Sequence, residues 1–439
     1  MKKNFKFLAL IFTIALSVFV MAACNSSTTS GGNESEKPKG KEKEAEKVTI
    51  RWAHQWGEEH FQETYGTYLE EKFPNITIEI QEAGTDHPET LEQLIAGKKS
   101  PDVVTMGLLT HSSFLKSLGL AYNMDELIEQ EGFDLDRLEP SIVKYARNKD
   151  PNMEGGIYII PNSRPTYSLH YNKDVFDTLG VNYPSDDLTW EEVTELAKDL
   201  TREMNGVQYR GLDLDVPYDA YTQFGQNSVD PETNEVLITE SEAYRRYLEM
   251  VGAVTSIPGN YPAEEPGSLL HNWGSLFGEG NVAMAPAATN HGWLEKDNIG
   301  IATYPVWEGY EGINPAPNAG GFAITEPSEH KEIVLEMIEY LLSDEVQIEK
   351  SKQGGASILK DPEIHAVYGE EKPEFKGKNL ASLFKNEYST GPDKSPKYGD
   401  GVYWEAPIKF VNSGKDINEF LRILQEEAEA SVKSQMEAE

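Results

Sequence analysis

The sequence predicts an α/β protein built as two domains or lobes, and three observations carry that expectation. Strand-like and helix-like stretches alternate through residues 48–107, the pattern of a largely parallel sheet. Residues 48–439 are too many for one ordinary domain of roughly 100–200 residues. Trp, Tyr and Phe recur throughout, and no second long apolar run follows the N-terminal one, so a globular body is expected.

The chain opens "MKKNFKFLALIFTIALSVFVMAAC". Lys2, Lys3 and Lys6 precede an apolar run over 7–20, and Ala22 and Ala23 are small, which is the layout of an export signal over residues 1–23. The run is short for a spanning helix, which needs roughly 20 residues. Cys24 is the single cysteine of the chain. Its position after two small residues resembles the lipobox of bacterial lipoproteins, with Met21 where a leucine is usual. That resemblance implies that Cys24 carries the lipid and becomes the new N-terminus. No thiol then remains for a disulfide, a metal or nucleophilic chemistry. Residues 25–47 hold few apolar side chains and many Ser, Gly, Glu and Lys. Such a stretch cannot bury enough surface to offset its ordering entropy, so 24–47 is expected to be a flexible tether.

Charge narrows the partners. The chain has 74 acidic and 39 basic side chains, a net charge of −35. A surface of that sign repels phosphate backbones, so no nucleic acid is expected as partner.

Element by element, "VTIRWAHQW" is a β-branched, apolar-rich strand. "EEHFQETYGTYLEEKFP" carries Phe61, Tyr65, Tyr68, Leu69 and Phe73 at helical spacing, and "NITIEIQEA" alternates with period two. "TLEQLIAGKKSPDVVTMG" reads as helix, turn and buried strand. Functional residues of such a lobe belong at the carboxyl ends of its strands. Two further strands flank "PNSRP". Thr189 caps the helix of "LTWEEVTELAKDL", with Glu191 and Glu192 suited to the dipole in its first turn. "LFGEGNVAMAPAATNHGW" is a helix end, a glycine turn and a strand leading to Trp293. "NAGGFAIT" is a strand, "EPSEHKEIVLEMIEYLLSDEVQIEKS" one amphipathic helix, and "INEFLRILQEEAEASV" a final helix.

In their order, "FPNITIEI", "AGKKSPDVV", "IYIIPNSRPTYSLHYNKDVFDTLGV", "LTWEEVTELAK", "FGEGNVAM", "NAGGFAIT" and "LEMIEYLLSDEVQ" resemble family 1 of the extracellular solute-binding proteins of ABC importers. That family includes the maltose-type sugar receptors. The resemblance implies the two-lobed fold of periplasmic binding proteins (type II), with a ligand cleft between lobes joined by a hinge. One lobe would take 48–160 with 323–364, the other 161–322 with 365–439. It also implies a monomer, lipid-anchored on the outer face of a Gram-positive membrane. The partners are then a small-molecule carbohydrate and ABC permease subunits, with no cofactor and no bond chemistry.

A sugar offers hydroxyls and apolar C–H faces, so its site needs flat aromatic rings and planar polar groups. By the resemblance, Trp293, Trp404 and Tyr218 are stacking candidates, with Tyr403 behind them, and Tyr167 is a weaker candidate beside Arg164. Asp215, ahead of Asp213, is an acceptor, and Asn290 and His291 are donors. Gln55 and Trp56 end the first strand, and Asp86 lies in the loop after the second. Arg164, beside the crossover "PNSRP", would grip a uronate or several hydroxyls, or else form a structural ion pair.

Three other patterns in the sequence point elsewhere and fit less well. "GEGNVA" fits a dinucleotide fingerprint but has helix before and strand after, the reverse of what that motif needs. His54 and His60 lack the spacing of a zinc helix and have no clear third ligand, so no metal is expected. "LDLD" invites a two-carboxylate glycosidase, which needs carboxyls on opposite sides of a bond. A tethered glycosidase, a receptor for a peptide or polyamine, and a signalling accessory therefore stay open at this point.

Overall fold

The computed structural model describes residues 48–438, so the export signal, Cys24 and the tether lie outside the described residues. The described residues hold twelve strands: β1 (Val48–His54), β2 (Ile76–Gln81), β3 (Val103–Met106), β4 (Ile160–Pro161), β5 (Tyr167–Asn172), β6 (Arg202–Met204), β7 (Val207–Leu212), β8 (Val282–Ala288), β9 (Ile299–Thr303), β10 (Ile313–Asn314), β11 (Gly321–Ile324) and β12 (Glu387–Tyr388). They form two five-stranded sheets and one small ribbon.

The first sheet runs β2-β1-β3-β11-β4. β1 is parallel to β2 and β3, as the alternation of strand and helix requires, because parallel neighbours need a crossover. β2 is an edge strand, and its alternation is visible as half-buried Ile76, Ile78 and Ile80 between exposed Thr77 and Glu79. β3, "VVTM", is buried at every residue. β11 enters antiparallel, between β3 and β4. The Trp52 ring fills the space over this sheet, 5.1 Å from Phe61 and 5.6 Å from Phe322 between centroids. Its Nε1 donates to Thr105 Oγ1 at 2.8 Å, which meets the need of a buried indole for a partner.

The second sheet runs β6-β7-β8-β5-β9. β5 is antiparallel to β8 and β9, and β7 is parallel to β8. Helix Trp190–Leu200 covers it. Its start is a capping box: Glu192 N donates to Thr189 Oγ1 at 3.2 Å and Thr189 N to Glu192 Oε2 at 2.9 Å. The chain passes from the first sheet to the second between β4 and β5, and returns to the first at β11. β10 and β12 pair in the ribbon.

One element differs from expectation. The long amphipathic helix expected over 326–351 is two helices, Lys331–Leu341 and Asp344–Lys352. Ser343 adopts an extended conformation between them and caps the second, accepting from Val346 N. Asp344 and Glu345 follow in its first turn, so capping and dipole favour a fresh start over continuation.

Among the described residues, no helix is long and apolar enough to cross a membrane.

Candidate functional site

The carboxyl ends of strands from both sheets face a cavity of about 370 Å³. From the first sheet come Leu108, Leu109 and Thr110, just past the end of β3, and Tyr145 of helix Pro140–Asn148. From the second come residues after β7, Asp215 to Asp219, and Asn290 and His291 after β8. Tyr167 and the returning segment 316–318 complete the wall. Trp273, Tyr403 and Trp404 are also in it, and each keeps more than a third of its surface exposed.

The aromatic rings lie together. Tyr218 is 4.5 Å from Tyr403 and 6.4 Å from Trp404 between centroids. Trp404 stacks on His271 at 4.2 Å and on Trp273 at 6.0 Å. Trp273 is 65 % exposed. Such rings offer broad apolar faces with a polar edge, the surface that a sugar ring's C–H face covers.

Local backbone chemistry holds the Trp273 turn. Asp213, wholly buried, accepts from Asn272 Nδ2 at 2.7 Å and Phe277 N at 3.0 Å. Asp215 accepts from Gly274 N at 2.5 Å and lies 2.9 Å from His291 Nε2. His271 and Trp273 have φ of 54° and 53°, a left-handed conformation that strains residues with a Cβ. Gly274 follows at φ +77°, and a Cβ there would lie 2.5 Å from the Trp293 ring. Only glycine fits.

The cavity carries the carboxyl groups of Asp215 and Asp219 without a matching Lys or Arg. Burial pushes the Asp219 carboxyl up to about 7, with Asp215 adding to the shift and His291 opposing it. Asp213 is also pushed up to about 7, chiefly by burial.

Of the residues singled out in the sequence, Asp215, Tyr218, Asn290 and Trp404 come together in this cavity, with Tyr167, His291 and Tyr403 beside them. The others lie elsewhere. Trp293 is 4 % exposed and sits beneath His291, the two rings stacked at 4.4 Å. Arg164 is buried in an ion pair with Glu139 Oε2 at 2.8 Å, its guanidinium over the Phe384 and Tyr388 rings. Gln55 Oε1 accepts from Thr85 Oγ1 at 2.9 Å, and Trp56, half exposed, packs its ring against His54 and His60. Asp86 is exposed, and its charge acts on His111. None of these five lines the cavity. Asp219, Trp273 and Tyr145 also line the cavity but are not among the residues singled out in the sequence. Asp219 follows Tyr218 directly, and "HNWG" places an aromatic before a glycine, so local cues existed for two. Tyr145 reads as an apolar-face residue of its helix.

Comparison with known proteins agrees with this architecture. Residues 54–348 match the model of the family described as bacterial extracellular solute-binding protein. The arabinooligosaccharide-binding protein of Bacillus subtilis is 24 % identical over 318 residues, 69 % of this chain and 70 % of that one. The sn-glycerol-3-phosphate-binding periplasmic protein UgpB of Rhizobium meliloti is 25 % identical over 287 residues, 61 % of this chain and 65 % of that one. The structure of the sugar-binding protein MalE of Xanthomonas citri superposes with a TM-score of 0.67 at 18 % identity, covering 89 % of this chain and 98 % of that one. An ABC substrate-binding protein of Listeria monocytogenes, solved with cycloalternan, gives 0.65 at 19 %, covering 88 % and 99 %. A two-lobed α/β fold of two sheets, with strand ends converging on a cavity, and the family match over most of the body lead to one conclusion: the chain belongs to the bacterial extracellular solute-binding proteins.

Proposed function

We propose that this protein is the receptor of an ABC importer, capturing a carbohydrate, an oligosaccharide in particular, in the cavity between its sheets and delivering it to the permease. The observation that carries the reading is the composition of that cavity: clustered aromatic rings beside carboxylates and two amides, with no Lys or Arg. Relatives are named for arabinooligosaccharide and for glycerol phosphate. A phosphate ligand calls for Arg, Lys or an array of backbone donors, so the lining favours the saccharide. Tyr218, Trp404 and Trp273 would stack on sugar faces, Asp219 and Asn290 would meet the ligand's polar groups, and Asp215, wholly buried, would hold His291 and the Trp273 turn in place.

In this reading residues 48–160 with 323–364 form one lobe and 161–322 with 365–439 the other, closing over the ligand as a monomer. Domain closure around a ligand is the motion for which the handling of solutes by such proteins is known. Cys24 carries the lipid that holds the receptor at the outer face of the membrane. Binding is its whole chemistry, with no bond made or broken.

The test is thermal unfolding of the mature chain against mono-, di- and oligosaccharides, with product analysis alongside. Ligand at a hundredfold over Kd adds about 2.7 kcal/mol of stability. A shift with one sugar class and no product is the expected result. No shift with any saccharide, or a shift accompanied by cleavage, overturns the reading.

A further inference from the structure

We infer that the ligand of this cavity carries a protonated amine, seated against Asp219 beside the tyrosine and tryptophan rings. The inference rests on the carbohydrate reading above and narrows it to amino-bearing saccharides.

The two lining carboxylates are not equivalent. Asp215 is wholly buried and committed to the protein, accepting from Gly274 N and meeting His291 Nε2 at 2.9 Å. The Asp219 carboxylate receives no hydrogen bond and forms no ion pair among the described residues, although it lines the cavity and feels both Asp215 and His291. A partly desolvated carboxylate with a second carboxylate nearby favours an opposite charge within reach. No Lys or Arg of the lining supplies that charge, and His291 meets Asp215 instead. The ammonium of Lys149, beside the same wall, sits over the Tyr145 ring at 4.9 Å and donates to Ser395 Oγ at 2.9 Å instead.

The rings add a second, independent preference. Tyr145, Tyr218, Tyr403 and Trp404 all line the cavity. A ring face attracts a cation by its quadrupole, more strongly once water is displaced. Carboxylate and ring faces together therefore select an ammonium over a hydroxyl at this place. A uronate or phosphate there would put a further negative charge beside Asp215 and Asp219 with no Lys or Arg to offset it. The order of affinity follows: amine, then neutral sugar, then acid.

The experiment is titration calorimetry of the mature protein at pH 7 with glucosamine, N-acetylglucosamine, glucose and glucuronate, as monosaccharides and short oligomers, and with choline as an ammonium without a sugar. The amine form should bind at least about tenfold more tightly than its neutral counterparts, ~1.4 kcal/mol. Asp219→Asn, checked by its unliganded thermal transition, should erase that preference, so that the amine form binds no more tightly than its neutral counterpart. Equal affinity for amine and neutral forms, or tighter binding of the uronate, overturns this inference while the receptor reading stands. The wild-type ranking decides this even if the variant does not fold. Binding of choline alone overturns the saccharide narrowing, and binding of nothing overturns both readings.

Discussion

At the scale of single residues, the cavity depends on a few positions whose neighbours leave no alternative. Gly274 is one: a methyl group there meets the Trp293 ring at 2.5 Å and must sit at φ +77°. Gly274→Ala should lower stability by at least ~1–3 kcal/mol, read by urea unfolding, since backbone strain alone is of that order. Asp213 and Asp219 supply a pH signature. Each is pushed from an ordinary 3.8 up to about 7 in the folded protein. Between about 4 and about 7 the unfolded chain has therefore lost protons that the folded chain still holds, so stability contributed by these two groups falls as pH rises. Thermal transitions of the unliganded protein across that window should show a shallower decline in Asp219→Asn than in wild type. An identical slope would count against this account of Asp219. The cavity was partly legible at this scale. Asp215, Tyr218, Asn290 and Trp404 stand at strand ends or in aromatic segments, where sequence order points to a site. Trp293 and Arg164 look the same in sequence but are absorbed by His291 and Glu139, because partners distant in sequence decide what a side chain faces.

At the scale of elements, caps and ion pairs place the walls. Glu139 precedes the helix that carries Tyr145, and Arg164 lies in the segment where the chain changes sheets; their charges meet at 2.8 Å, both nearly buried. Removing one partner strands a buried charge, at about 3–5 kcal/mol. Arg164→Met should therefore destabilise strongly, and adding Glu139→Gln should recover part of the loss in a double-mutant cycle. No recovery would mean that the two charges act separately. β2 and β3 were legible because period-two alternation in β2 and the apolar-rich run of β3 mark an edge and a centre. The cap at Thr189 was legible from local chemistry alone, while the reciprocal bond from Thr189 N to Glu192 was not. The break at Ser343 was not read, since the apolar spacing continues across it and only the capping serine signals a new start.

At the scale of the whole molecule, the chain builds two sheets, returns to the first through β11 and converges its strand ends on one cavity. The two-lobed fold was legible from the order of the motifs. The makeup of the cavity was not, because Tyr145 from one side and Asp219 and Trp273 from the other become neighbours only once both sheets have formed. Closure over a ligand should make the molecule more compact, so small-angle scattering should give a smaller radius of gyration with the bound saccharide than without it. An unchanged radius would mean a rigid receptor. The central claim is that the aromatic, carboxylate-lined cavity is the carbohydrate site. Its most direct test is calorimetric affinity for the saccharide that most raises the melting temperature, in wild type and in Trp404→Ala. Trp404 is partly exposed, so its loss leaves the core intact. A loss of affinity of about tenfold or more, ~1.4 kcal/mol, with the unliganded melting temperature unchanged, is the predicted result. Unchanged affinity in the variant would contradict the account and put the ligand elsewhere on the molecule.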